Sequence, residues 1–316
     1  MILAPHGWPV ALGMVLLAGL IDVAAGELPA ALHPVVWMGR LIDALQARLP
    51  RRRAAVQLVY GILVFVVVAG IGAVAGAGFN LLLARLPWWL ALPVGALVLK
   101  TTFSLRGLVV AGRDVQRDLG RDLRAARADL AALVSRDREL PPREIVSAAV
   151  ESLAENLNDS VVAPLFFFVL FGLPGALVYR AVNTMDAMIG YRGEYEYVGK
   201  AAARGDDALN WIPARLTALL LVALGSLRGT ARAAWVALRT RPRPAPGPNK
   251  LVAISAMAGL LGVQLEKPGS YAVGLPERPL EAGVIGDAAV VVWVAGGISL
   301  GTAACLAALL AWGLWG

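Results

Sequence analysis

Residues 54–84 read A-A-V-Q-L-V-Y-G-I-L-V-F-V-V-V-A-G-I-G-A-V-A-G-A-G-F-N-L-L-L-A, an apolar run without one charged side chain. A helix needs about 20 such residues to cross the hydrocarbon layer of a bilayer, so this run can cross with tilt or a kink. Gly70, Gly72, Gly76 and Gly78 superficially match a dinucleotide fingerprint. That motif needs a strand–turn–helix context, which an apolar run of this length excludes, and small residues for close helix packing fit better.

Working outward, residues 8–26, 86–105, 161–179, 211–227 and 288–315 are further apolar stretches. The first is interrupted by Asp22, and the second stands behind the interfacial pair Trp88 and Trp89. Pro164, Gly172, Pro174 and Gly175 break the 161–179 stretch, so it is expected to dip into the membrane and return. The fold class expected is all-α: a polytopic helical membrane protein with about five to six spanning or re-entrant helices and cytoplasmic amphipathic helices. Residues 1–316 are read as one membrane-embedded domain, with a polar, mainly cytoplasmic helical region over 106–160. Within it, Val115, Leu119, Leu123, Ala126, Leu130 and Leu133 recur at helical steps and predict one amphipathic helix over 112–134. Its other face, with Asp114, Arg117, Asp118, Arg121 and Asp122, reads as solvated and laced with weak ion pairs.

Composition agrees. The chain is 58% hydrophobic and only 16% charged, where a soluble domain is about half apolar and a quarter charged. Disorder, fibrous repeats and a nucleic-acid arm are excluded, and no nucleic-acid partner is expected. The net charge of +7, from 29 Lys+Arg against 22 Asp+Glu, orients helices rather than binding polyanions. Arg48, Arg51, Arg52 and Arg53 follow the first stretch. Arg228, Arg232, Arg239, Arg241, Arg243 and Lys250 fill the acid-free segment 228–250, read as a basic Pro-rich loop. Both clusters are expected inside and the N-terminus outside, in a multi-pass protein of the cell (inner) membrane. Counting crossings then sends residues 180–210 outside. No Lys or Arg precedes Arg40, so a signal peptide is not expected, and Cys305 alone permits no intramolecular disulfide.

The densest chemistry lies in A-V-E-S-L-A-E-N-L-N-D-S, residues 149–160. Glu151, Glu155 and Asp159 sit at steps of four, placing three carboxylates on one helix face. Like charges at this spacing destabilise a helix, and a bound cation would offset the repulsion. Hard oxygen ligands favour Mg²⁺, which takes one or two carboxylates plus substrate phosphates. In residues 179–197 Asn183 and Asp186 share a face, with Arg180 one turn earlier and Arg192 following. In residues 204–216 Asp206, Asp207, Asn210 and Arg215 stand beside the next apolar stretch. Carboxylates alternating with arginines at the mouths of spans suit a site for Mg²⁺ and phosphoryl groups together. His33 is a candidate base or ligand. G-E-Y-E-Y-V-G-K-A from Gly193 lacks the spacing and the Ser or Thr of a P-loop and is rejected.

Taken in order, these segments resemble the adenosylcobinamide-phosphate synthase family of cobalamin biosynthesis, from about residue 20 to 280. The strongest stretches are H-P-V-V-W-M-G-R-L-I from His33, K-T-T-F-S-L-R from Lys100, A-V-E-S-L-A-E-N from Ala149 and A-P-L-F-F-F-V-L-F-G-L-P-G-A-L-V-Y-R-A-V-N-T-M-D-A-M-I-G-Y-R from Ala163. D-D-A-L-N-W-I-P-A-R-L from Asp206 and E-R-P from Glu277 complete them. The resemblance implies an ATP-dependent acid–amine ligase. It would join aminopropanol or its O-phosphate to a carboxylate of adenosylcobyric acid, with Mg²⁺ and ATP, giving adenosylcobinamide or its phosphate. On that reading Glu151, Glu155, Asp159, Asp186, Asp206 and Asp207 include the Mg²⁺ ligands. Arg180, Asn183, Arg192, Asn210 and Arg215 hold substrate and phosphates, and His33, Glu155, Asp159 and Asp186 act in catalysis. Partners would be the two substrates, the lipid bilayer and other corrinoid-pathway membrane enzymes. The chain departs from the family pattern at Glu27, where G-D-P becomes Gly26-Glu27-Leu28-Pro29, and at Arg138, Ala187 and Lys250. Two other readings remain: a Mg²⁺-dependent membrane transferase, and a non-catalytic corrinoid-pathway scaffold or transporter. The first would want a D-x-x-x-D pair that Asp186 lacks, and transport would suit the broken helices.

Overall fold

The computed structural model describes residues 6–50, 53–133, 139–191, 193, 195–242 and 247–313. In chain order its helices are α1 (Trp8–Ala25), α2 (Pro34–Gln46), α3 (Ala54–Arg85), α4 (Trp88–Lys100), α5 (Leu105–Leu119) and α6 (Leu123–Leu133). They continue with α7 (Pro142–Leu157), a π-helical turn (Asn158–Val162), α8 (Ala163–Ile189), α9 (Lys200–Leu209) and α10 (Trp211–Leu227). The last are α11 (Ala231–Arg239), α12 (Lys250–Leu261) and α13 (Ala282–Gly313). Strands β1 (Leu265–Lys267) and β2 (Tyr271–Val273) form one antiparallel hairpin between α12 and α13. Among the described residues five helical stretches are long and apolar enough to cross a membrane, and six if α9 and α10, bent by 47°, count as one. The chain is all-α and polytopic, as its sequence indicates. Residues 1–316, read as one domain, fold as two compact units assembled from discontinuous segments.

The first unit comprises residues 1–104, 163–209 and 299–316. Backbones approach closely where α3 meets α8. A Cβ on Gly76 would lie 2.4 Å from the Cα of Pro174, and one on Gly72 would lie 3.1 Å from the carbonyl oxygen of Leu177. These two glycines let the helices touch, whereas Gly70 and Gly78 face open space. Beside them Ile42, Val64, Val68, Ala181, Met185, Ile189, Val198 and Ala202 form a buried apolar cluster that seats α2, α8 and α9 on α3.

α8 reverses on itself. Gly172 has φ +65° and ψ −153°, outside the helical range, and Pro174 opens the second limb. Glycine at the break and proline just inside the next start is the usual grammar of helix ends. The rings of Phe167 and Tyr179 stack with centroids 5.3 Å apart, although twelve residues of straight helix would separate them by about 18 Å. The expected dip and return is therefore a helical hairpin.

The second unit comprises residues 105–162 and 210–298. Two helices form its interior. Every residue of α7 from Ile145 to Ala154 is buried, Glu151 and Ser152 included, and so is every residue of α12 from Leu251 to Leu261. A helix apolar all round belongs inside a core. The polar reading of residues 106–160 thus needs correction for α7, which is interior. The single amphipathic helix expected over 112–134 is also two helices, α5 and α6. The chain breaks at Gly120–Asp122, where Asp122 Oδ1 accepts the Arg124 N–H at 2.9 Å and starts α6. Arg117 pairs with Asp114 (2.6 Å) and Asp118 (2.8 Å) on the expected solvated face. Nine residues of the supposed loop 228–250 form helix α11, in which Ala234, Ala237 and Leu238 are buried. Strands β1 and β2, absent from the all-α reading, turn at Pro268–Gly269 with Leu265 opposite Val273 and Lys267 opposite Tyr271.

Candidate functional site

Within the first unit the ionisable residues of two apolar helices meet. Asp22, inside α1, is fully buried, and Lys100, the last residue of α4, is 1% exposed. The Lys100 Nζ stands 3.1 Å from Asp22 Oδ1 and 2.9 Å from Glu27 Oε1, and it also donates to the Phe103 carbonyl at 3.2 Å. Glu27 follows Gly26, the residue that ends α1, and its Oε2 lies 2.9 Å from Nε2 of His33. His33 in turn caps α2, its Nδ1 accepting the Val35 N–H at 3.2 Å. Burial works to raise the Glu27 carboxyl, but hydrogen bonds from His33, Ser104 and Lys100 outweigh it and hold the group at about 2. Both ring nitrogens of His33 are thus engaged, and its visible task is to fix Glu27 rather than to offer a bare nitrogen. Sequence reasoning singled out His33 and missed Lys100 and Glu27. The available signal was an acid in one span and a base in another, which in an apolar environment must find each other.

The same unit carries the α8–α9 cluster. Asn183 Nδ2 donates to Asp206 Oδ1 at 3.2 Å, so these two expected site residues do come together. The Asp186 carboxylate folds over Gly190, where any Cβ would lie 2.0 Å from its Oδ1. The opposite face of α8, with Ala181, Met185 and Ile189, is buried in the apolar cluster, which turns Asn183 and Asp186 away from it. Asp186, Asp206, Asp207 and Arg180 each make further interactions. Arg192 lies outside the described residues.

In the second unit the three carboxylates of residues 149–160 part company. Glu151 is 3% exposed; its Oε1 accepts the Ser147 hydroxyl (2.9 Å) and its Oε2 the Tyr271 hydroxyl (2.7 Å). The Ser147 hydroxyl also meets the backbone of Glu266, so this network latches the β-hairpin onto α7. Glu155, one turn on, pairs with Lys250 at 3.2 Å. The π-helical turn then carries Asn158, which donates to Asp159 Oδ1 (2.7 Å) and Asn210 Oδ1 (2.8 Å) and accepts from Thr217 at 3.1 Å. A π-turn inserts one residue and re-aims the side chains after it, which steps of four in the sequence cannot show. Arg215 lies over the Trp211 ring, 4.8 Å from its centroid, and donates to Asn249, Trp211 O and Pro248 O. Its guanidinium is so held at the start of α12, where unpaired backbone N–H groups favour anions.

Among the described residues no three His, Cys, Asp or Glu side chains stand close enough to hold a metal ion. Mg²⁺ needs only one or two carboxylates when phosphate oxygens and water complete its shell. Asp206 beside Asn183, and Asp159 beside Asn158, fit that demand by donor chemistry. Glu151 does not, because hydroxyls occupy both of its oxygens in a closed pocket.

The model of the CobD/Cbib protein family matches residues 15–292. A probable cobalamin biosynthesis protein CobD of Thermococcus kodakarensis is 43% identical over 262 residues, covering 81% of this chain and 83% of that protein. Its counterpart in Pyrococcus furiosus is 41% identical over 287 residues, covering 88% and 92%. The cobalamin biosynthesis protein CobD of Dehalococcoides mccartyi is 41% identical over 268 residues, covering 84% and 87%. No solved structure matches. The ordered motifs, the polytopic helical fold and these matches along most of the chain place the protein in the CobD/Cbib family.

Proposed function

We propose that this protein acts in cobalamin biosynthesis as an ATP-dependent amide synthase, joining aminopropanol or its O-phosphate to a carboxylate of adenosylcobyric acid. The observation that carries the reading is the continuous family match over residues 15–292, which contains every carboxylate and arginine cluster described above. The chemistry needs two displacements. A carboxylate oxygen of the corrinoid attacks the terminal phosphorus of ATP, forming an acyl phosphate and releasing ADP. The amine nitrogen then attacks the acyl carbon; phosphate leaves, and the nitrogen gives up a proton to a base.

Each displacement develops charge on phosphate oxygens, and preorganised donors stabilise it without reorganising at the moment of reaction. Arg215, clamped by Asn249, Pro248 O and Trp211, is such a donor in the second unit. Arg180, Arg192, Asn183 and Asn210 are the other proposed polar contacts. Mg²⁺ bound with the nucleotide would neutralise phosphate charge, and its proposed protein ligands are among Asp186, Asp206, Asp207, Glu155 and Asp159. Glu155, Asp159 and Asp186 are also the half-buried carboxylates proposed to take the amine proton, and His33 supports Glu27.

Incubation of detergent-purified protein with adenosylcobyric acid, aminopropanol phosphate and Mg-ATP tests the reading by mass spectrometry of the corrinoid. A mass gain equal to the amine minus water is expected. No gain under saturating substrates overturns it. Asp186→Ala and Glu155→Gln are each expected to lower that ligation by 10²-fold or more, within the usual range for acid–base and charge-stabilising groups.

A further inference from the structure

The fold sorts the basic residues of segment 228–250 by face. Helix α11 turns Ala234, Ala237 and Leu238 into the second unit. It meets α12 backbone to backbone: a Cβ on Gly259 would lie 2.5 Å from the Ala233 carbonyl oxygen and 2.6 Å from the Ala234 Cα. Just before α11, the Thr230 hydroxyl donates to the Leu260 carbonyl at 3.0 Å. These contacts fix the helix and therefore its outward face. That face presents Arg232, Trp235, Val236 and Arg239, all exposed and spaced at steps of three and four. The Arg239 guanidinium lies over the Trp235 ring, 5.8 Å from its centroid.

Helix α10 leads into this face. Its exposed Ile212, Leu216, Leu219 and Leu227 follow helical spacing and form an apolar stripe of the kind a bilayer covers. Leu227, the last of them, is 82% exposed and directly precedes the exposed Arg228. The chain then turns at Gly229, whose φ is +72°, and enters α11. With nine residues, α11 is about 13 Å long, well short of the roughly 30 Å hydrocarbon layer. Apolar surface thus gives way to arginine and tryptophan within a few residues, the change expected where hydrocarbon meets headgroups.

We infer that the outer face of α11 docks on anionic phospholipid, with Arg228, Arg232 and Arg239 on the headgroup phosphates and Trp235 and Val236 in the layer beneath. Charge complementarity selects this occupant, because segment 228–250 holds six basic residues and no acid. Arginine stems can run along apolar surface while their heads stay with the phosphates. The rule that orients helices by charge asks only for basic residues on one side. It does not call for a tryptophan between them on a single helix face. The inference is independent of the amide-synthase reading.

Native mass spectrometry of the detergent-purified protein, titrated with phosphatidylglycerol or phosphatidylcholine, tests the headgroup. Phosphatidylglycerol is expected to bind more tightly, and each arginine to contribute about fivefold. Arg232→Gln with Arg239→Gln is expected to lower that affinity by about tenfold or more, while the corresponding lysine pair retains most of it. Removing two other exposed arginines of the same unit, by Arg143→Gln with Arg278→Gln, is expected to change nothing. Contact is read from a bimane label on Val236→Cys in a Cys305→Ser background, in phosphatidylcholine vesicles with and without phosphatidylglycerol. Its emission is expected to shift to the blue with the anionic lipid and to return at high salt. Equal affinity for the two lipids, or an equal loss in the Arg143/Arg278 control, overturns the inference. A disulfide-linked dimer through Val236→Cys would seat a second copy on this face and overturn it too.

Discussion

Lys100 is a charged residue that the fold has enclosed almost completely, between one fully buried acid and one acid at the surface of the unit. Removing one partner of a buried ion pair leaves the other uncompensated, a loss of about 3–5 kcal/mol. Lys100→Met is expected to lower the melting temperature in detergent accordingly, and the double change Asp22→Asn with Lys100→Met to recover most of it. Acid has a related effect through Glu27. Its folded value of about 2 lies below the ordinary 4.5, so its contribution to stability is complete above about 4.5 and fades as pH falls toward about 2. Melting curves taken from pH 5 down to pH 3 should show a steeper decline for the native chain than for Glu27→Gln. Little of this was legible in the sequence. Asp22 stood out as an interruption of an apolar run, but nothing in the order of residues says which helix lies beside α1.

Among the elements, α3 and α8 depend on backbone contact. A side chain at residue 76 meets the backbone of Pro174, which cannot rotate away, whereas residue 78 faces open space. Gly76→Val should cost about 1–3 kcal/mol or prevent folding, and Gly78→Val should leave the melting temperature nearly unchanged. The reversal at Gly172 is testable by reach. With Phe167 and Tyr179 both replaced by cysteine in a Cys305→Ser background, a short bifunctional maleimide should join them. A straight helix would hold them about 18 Å apart and prevent it. Proline and glycine spelled out this break in advance, because both act through local backbone geometry. The split of α5 from α6 was harder to read, since apolar spacing runs through Gly120 without a change of phase.

For the whole molecule, the hairpin in α8 alters the count of crossings. A hairpin enters and leaves a bilayer on the same face, so α8 adds no crossing to the count. With crossings by α1, α3, the Trp88–Leu119 stretch and α13, the charge rule is expected to turn the basic segments toward the cytoplasm. Both termini are then expected on the other face. Reporter enzymes active only outside the cytoplasm, fused to either end, are expected to be active in both fusions. A C-terminal fusion active only inside would require α10 to cross as well.

Membrane residence, the number of long apolar stretches and the break in α8 follow from the chain alone, because hydropathy, glycine and proline act over a few neighbouring residues and need no partner. The carboxylates were visible too, but their roles were not. Glu151 and Glu155 are one turn apart on α7. The first latches a hairpin through Ser147 and Tyr271; the second meets Lys250. Likewise Asp22, Glu27 and Lys100 became one cluster only when α1 and α4 packed together. A charge owes its energy to distance and burial, and both are set by residues far away in sequence.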